Sequence, residues 1–269
     1  MSGLLAIITI NYNDLEGLKK TIDSVEPQLS EDVDWVIVDG GSLDGSVDLI
    51  REQEKHFSCW VSERDYGIYD AMNKGLKFCS AKYVWFINSG DYLRSGSISQ
   101  VLKKLKHSQD AKLVLCGGYV RYSDMADWYR KPRSGSDAAF HSIPALHQST
   151  IYRRSDIPFH GYPSSYRICG DHWMAAFFMV RVSGVVEMVD QHISIHPIHG
   201  GAAISNLRTL FCESWLIQKE IYRGSLIRKI LSSMRRIRSV FLAKILSNKF
   251  LLRTKLFRFI LRNKLVWLR

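Results

Sequence analysis

The chain has 269 residues, of which 46% are hydrophobic and 12% aromatic, enough to bury a substantial core and to exclude disorder for most of its length. Its formal charge of +11 is unevenly placed: residues 206–269 hold 16 of the 37 Lys and Arg but only two of the 26 acids, Glu213 and Glu220. Five scattered cysteines with no C-x-x-C pair argue against a zinc site and a disulfide framework and suit reduced thiols in a cytoplasmic setting.

From the N-terminus, Leu4 to Ile10 is an apolar run too short to cross a bilayer. It has no basic region before it and no small-residue cleavage site after it, and so predicts a buried strand, not a signal peptide. Leu15, Leu18, Ile22 and Val25 recur at helical spacing and predict a helix from about Leu15 to Val25. A strand over Trp35–Val38, a helix over Ser46–Glu54, a strand over Cys59–Ser62, a helix over Ile68–Cys79 and a strand over Tyr83–Ile87 follow. Such alternation predicts an α/β fold with a mostly parallel central sheet covered by helices on both faces.

The middle is less regular. Lys112–Val120 and Thr150–Tyr152 predict strands, Tyr122–Ser136 a polar loop, Asp171–Val182 a helix and Val185–Val189 a further strand. The charge shift near Ser205 divides the chain into a catalytic-type domain, residues 1–205, and a basic helical extension, residues 206–269.

In a parallel sheet, ligands bind beyond the carboxyl ends of the strands. Three motifs fall at that edge: Thr9-Ile10-Asn11-Tyr12-Asn13, Val38-Asp39-Gly40-Gly41-Ser42 and Asn88-Ser89-Gly90-Asp91. Asp39 can accept a hydrogen bond from a nucleobase N–H while Gly40 and Gly41 let the backbone approach a ligand; the same residues also suit a plain strand-to-helix turn. Asp91 can hold a hard divalent cation against a diphosphate, or merely cap a turn.

Three segments decide between these readings: Val38 to Ser42; Ser62-Glu63-Arg64-Asp65-Tyr66-Gly67-Ile68-Tyr69-Asp70-Ala71-Met72-Asn73-Lys74-Gly75; and Phe86 to Asp91. Together they resemble family 2 glycosyltransferases with the GT-A fold, over roughly residues 4 to 205, and within that family the colanic-acid type of bacterial exopolysaccharide, capsule or O-antigen assembly. The resemblance implies inverting transfer from a nucleoside diphosphate sugar with Mg²⁺ or Mn²⁺. By position, Tyr12 and Asp39 match residues that hold the nucleobase. Asp65, Asn73 and Gly75 match residues lining the nucleotide pocket, Asn88 and Ser89 lie on the donor loop, and Asp91 matches the metal-binding acid. Asn88 and Gly90 stand where relatives often carry further acids, so a single carboxylate predicts weak metal affinity in the absence of the donor.

Inverting transfer also needs a base for the acceptor hydroxyl. Asp171, in Cys169-Gly170-Asp171-His172, matches the family's position for it; His172 is the rival, and an N-capping Asp the plain alternative. His147 and Gln148 resemble an acceptor or sugar contact. Gly200 and Gly201, after His199, resemble a diphosphate loop, with His199 a candidate added metal ligand.

In the extension, Leu226, Ile230, Met234, Ile237, Phe241 and Ile245 trace one helical face among many bases. Such a helix suits an anionic inner-leaflet surface and a lipid-linked saccharide acceptor, which places the enzyme at the inner face of the cytoplasmic membrane. A nucleic-acid partner is not expected, because it would leave the apolar face without a role. A non-enzymatic membrane or nucleic-acid adaptor with a degenerate nucleotide-binding domain and a sugar nucleotidyltransferase are the competing readings. Against the latter, no glycine-rich basic loop occurs near the N-terminus.

Overall fold

A computed structural model describes residues 3–123, 126–197, 206–222 and 226–227, and residues 230, 232 and 234. Its first half follows the expected alternation: β1 (Leu5–Asn11), α1 (Leu15–Val25), β2 (Val33–Asp39), α2 (Ser46–Glu52), β3 (Cys59–Ser62), α3 (Ile68–Lys77) and β4 (Tyr83–Phe86). β1 pairs in parallel with β2 and β4, and β2 with β3. Every residue of β1 is buried because both faces of the sheet are covered. Leu5 and Ile7 join Leu18 and Ile22 of α1 and Ile50 of α2 in one cluster, whereas Ala6, Ile8 and Ile10 join Met72 of α3 in another. α3 lies so close to the sheet that a Cβ on Gly75 would run into the Ile8 side chain.

The second half contains β5 (Tyr92–Leu93), α4 (Ser97–His107), β6 (Ala111–Ser123), β7 (Ala126–Arg130), α5 (Ser136–His141), β8 (Thr150–Arg153), α6 (Gly170–Val180), β9 (Val185–Pro197) and α7 (Leu207–Glu220). The sheet runs β3-β2-β1-β4-β8-β6-β9-β5, with β7 added on β6. β8 is antiparallel to both β4 and β6, β7 is antiparallel to β6, and β5 to β9; only β6 and β9 are parallel. The parallel expectation thus holds for the N-terminal half, and the other half is mixed.

Two sequence expectations are corrected here. Tyr122–Ser136 is not all loop, since β7 pairs Tyr129 with Tyr119 and Trp128 with Val120. Its apolar residues are interspersed with Asp127 and Arg130, so no apolar run announces it. β9 continues well past Val189: after an irregularity at Asp190 and Gln191, backbone pairing to β6 resumes at His192 and runs to Pro197. α4 was not anticipated; its Ile98, Val101, Leu102 and Leu105 complete the core on the α1 face.

α7 packs on the opposite face, where Leu210, Ile217, Ile221 and Tyr222 share a cluster with Met174 and Phe178 of α6. The beginning of the basic extension is therefore built into the core. No helix among the described residues is long and apolar enough to cross a membrane.

Candidate active site

The carboxyl ends of β1, β2 and β3 converge on Asp39, which is fully buried. Its Oδ1 accepts from Asn11 Nδ2 at 2.8 Å and Ser42 Oγ at 2.5 Å. Its Oδ2 accepts from the amides of Gly41 (3.0 Å) and Ser42 (2.8 Å) and from Ser62 Oγ at 2.7 Å. Burial alone would raise the Asp39 pKa, but the hydroxyls of Ser42 and Ser62, with the Ser42 amide and Asn11, hold it below the usual carboxylate value. A carboxylate has about four lone-pair sites, and these donors use them. In this state Asp39 is the hub of the turn, and a nucleobase N–H would have to displace one of the two hydroxyls.

Beside that hub, Tyr12 is 64% exposed and Asp65 is half-buried. A Cβ on Gly40 would meet both the Asp65 carboxylate and the Tyr12 ring, so the glycine lets them close on one cleft. Lys74 holds the loop that carries Asp65 in place through Glu63 (2.9 Å), Asp70 (3.6 Å) and the Arg64 carbonyl (2.6 Å).

Asn73 and Gly75 do not contribute polar groups to this cleft. The Asn73 amide donates to the Tyr162 carbonyl at 2.8 Å and its oxygen accepts the Tyr162 N–H at 2.7 Å, which ties the 158–162 loop to α3. Gly75 is spent on the close approach of α3 to β1. Their part is to position the frame.

Asp91 lies at the end of a tight turn in which its N–H donates to the Asn88 carbonyl at 3.0 Å, with Gly90 at φ +85°. Thr21 of α1 donates to the Asp91 carbonyl at 2.6 Å, and the Ser89 amide donates to Ile10 O at 3.0 Å, so the donor loop is clamped from two sides. The Asp91 side chain is only 3% exposed, and its Oδ1 meets His196 Nδ1 at 2.5 Å. This contact follows from register: Tyr92 of β5 pairs with Ile195 of β9, so the residues flanking them, Asp91 and His196, come together. Burial disfavours charge on His196, but Asp91, helped by Asp171, raises its pKa above the ordinary histidine value. Gln148 Nε2 also lies 2.9 Å from His196 Nδ1.

His147 stands behind this pair. It is 7% exposed, its Nε2 is 2.9 Å from the Tyr162 hydroxyl, and its ring packs on Phe86 at 5.2 Å between centroids. Burial lowers its pKa, with partial opposition from Asp171 and Asp91. His147 is therefore a neutral wall of the site, and Gln148 a support for His196. Neither is laid open as an acceptor contact.

Asp171 lies in the first turn of α6, half-buried, with Cys169 at the cap position. It is not an N-cap. Its Oδ1 accepts the His172 amide at 2.7 Å, and its own amide donates to the Tyr69 hydroxyl at 3.3 Å. The rival base His172 is 1% exposed, with Nε2 held 2.6 Å from the Ala139 carbonyl, which removes it from contact with an acceptor. The charge of Asp171 reaches both His147 and His196, so the β4–β5 loop carrying Asp91 and the start of α6 face one electrostatic centre.

The residues present fit a divalent cation in a limited way. Asp91 offers a hard carboxylate, and the partly exposed imidazole of His196 would be a second ligand suited to Mn²⁺. Among the described residues, no group of three or more His, Cys, Asp or Glu could hold a metal ion by itself, so an ion here would need further ligands from a bound diphosphate and water. His199, Gly200 and Gly201 lie outside the described residues. His196 was passed over in the sequence because β9 was expected to end at Val189, which left it on a loop; strand alternation carried on through Ser194 would have aligned it.

The family model of Glycosyl transferase family 2 matches residues 6–178. An uncharacterized glycosyltransferase of Mycobacterium tuberculosis is 41% identical over 88 residues, which are 32% of this chain and 34% of that protein. The aligned part thus spans about a third of that relative. The putative glycosyltransferase EpsH of Bacillus subtilis is 24% identical over 234 residues, 79% of this chain and 66% of EpsH. Two solved structures share the fold. S. aureus TarS 1–349 in complex with UDP-GlcNAc gives a TM-score of 0.68 at 15% identity, covering 95% of this chain and 77% of that one. The mannosyltransferase PcManGT from Pyrobaculum calidifontis, in complex with GDP-Man and Mn²⁺, gives 0.65 at 13% identity, covering 99% and 81%.

Proposed function

The chain belongs to glycosyl transferase family 2, and from that premise we propose that it is an inverting glycosyltransferase acting on a nucleoside diphosphate sugar. The observation that carries this reading is the convergence of Asp91 with His196 and, within electrostatic reach, Asp171. Tyr12 and Asp65 close on the nucleoside side of the cleft, over the turn that Asp39 organises. Asp91 and His196 would hold Mg²⁺ or Mn²⁺ together with the donor's diphosphate, and the ion would supply charge compensation to the departing diphosphate there. Asp171 takes the proton of the acceptor hydroxyl as the hydroxyl attacks the anomeric carbon from the opposite face. The folds shared with complexes of UDP-GlcNAc and of GDP-Man support a nucleotide sugar as donor.

A thermal-shift screen of UDP- and GDP-sugars with Mn²⁺ tests the donor class. A donor at 100 times its Kd should stabilise the protein by about 2.7 kcal/mol, several degrees in Tm. No shift with any nucleotide sugar would overturn the reading.

The acceptor proposed is a lipid-linked saccharide of a polysaccharide assembly system, brought close by the bases after Tyr222 at an anionic membrane surface. Each base near such a surface contributes about 1 kcal/mol. Replacing Arg235, Arg236, Arg238 and Lys244 by Gln in the full chain should therefore lower partitioning onto phosphatidylglycerol vesicles by about two to three orders of magnitude. Sedimentation equal to that of the unaltered chain would sink the membrane reading and leave the transferase reading intact.

A further inference from the structure

Residues 206–269 contain only two acids, and both turn back onto the segment that bears Asp171. Glu213, midway along α7 and 4% exposed, accepts three successive backbone N–H groups: Arg167 at 2.7 Å and Cys169 and Ile168 at 2.8 and 2.9 Å. About two turns later, Glu220 Oε2 accepts from the Tyr166 hydroxyl at 2.9 Å and from Trp173 Nε1 at 3.1 Å. The two carboxylates thus hold Tyr166 to Cys169 before the base and Trp173 after it.

The chemistry of this arrangement is specific. A buried carboxylate is costly unless hydrogen bonds satisfy it, and here the main chain supplies them. The three amides face the carboxylate in a row, so their direction, and with it the start of α6, follows the position of Glu213. Gly170 leaves no freedom on the other side, since a Cβ there would strike the Tyr69 ring, and the Asp171 amide rests on the Tyr69 hydroxyl. Asp171 is therefore fixed between α3 and α7.

We infer that α7 is a brace for the catalytic base, with Glu213 its principal positioning residue and Glu220 a second one. The residues matched by the family model end at 178, so the brace lies in the part of the chain beyond that match. This inference deepens the proposed function and rests on the assignment of Asp171 as base.

Glu213→Gln tests it, because the amide nitrogen would be presented to at least one N–H that now finds an oxygen. Hydrogen exchange should accelerate at residues 167–169 and stay unchanged at residues 39–42. Stabilisation by UDP or GDP with Mn²⁺ should stay within about threefold in apparent Kd. Turnover of UDP-GlcNAc or GDP-Man, whichever the protein accepts, should fall by about ten- to a hundredfold at saturating donor, the range expected of a displaced reacting group. A purely structural role would instead lower nucleotide binding and melting temperature together.

If Glu213→Gln fails to fold, Glu220→Ala at the exposed end of α7 decides, with an expected loss of about threefold or more in turnover and faster exchange near Tyr166. Unchanged turnover in the folded variant, beside an Asp171→Asn protein that is inactive, overturns the brace alone. An active Asp171→Asn protein overturns the base assignment on which it rests.

Discussion

Replacing Asp171 by Asn should lower the turnover number for sugar transfer by about 10²–10⁴-fold, the usual contribution of a positioned general base. The substitution keeps the shape of the side chain, and an Asn oxygen can still accept the His172 amide that Asp171 Oδ1 now holds at 2.7 Å. Folding and nucleotide binding should therefore survive. Thermal shift with UDP or GDP and Mn²⁺ reads folding and nucleotide binding, and steady-state turnover at saturating donor reads the loss of the base. Near-normal turnover would remove Asp171 from the chemistry. His172 is not a reserve base, because its ring is buried against the Ala139 carbonyl.

The second large effect is expected at Asp91. Asp91→Ala should reduce transfer by about 10³-fold or more, since charge stabilisation of a departing diphosphate by a cation is worth several kcal/mol and each 1.36 kcal/mol is tenfold. In calorimetric titrations of the unaltered protein, Mn²⁺ alone should bind weakly and the nucleotide should tighten it. Tight Mn²⁺ binding without nucleotide would contradict the two-residue site. The substitution also removes the carboxylate partner of His196, whose pKa burial alone would depress and which Asp91 holds above the ordinary value. A raised histidine pKa means that the charged part of this pair stabilises the metal-free fold fully below about pH 6.5, the ordinary histidine value, and is lost as pH rises through the higher folded value. The gap in Tm between unaltered and Asp91→Ala protein should close over that window.

Together these variants separate an enzyme from a nucleotide-binding adaptor: both should be inactive in transfer while still binding nucleoside diphosphate, Asp91→Ala the more weakly. On the proposed function, the hub around Asp39 would account for that residual binding. It draws on β1, β2 and β3 and includes neither residue.

The sequence by itself determined the alternating N-terminal half, because buried parallel strands read as unbroken apolar runs and their helices as regular stripes. Through the likeness of three segments it also pointed to Tyr12, Asp39, Asp65, Asp91 and Asp171. Only the tertiary structure decided how those residues are used. The β5–β9 register set His196 against Asp91 across more than a hundred residues, a pairing invisible to local pattern because β9 is polar where it matters. Packing turned His147 and Asn73 into supports, since His147 Nε2 and both side-chain polar atoms of Asn73 meet Tyr162. The two acids of the basic extension read as incidental in a charge count, yet in the fold Glu213 meets the backbone just before Asp171 and Glu220 the Tyr166 and Trp173 side chains on either side of it. Side-chain chemistry is local and legible; which donors each carboxylate finds depends on contacts between distant segments, and those form only when the core closes.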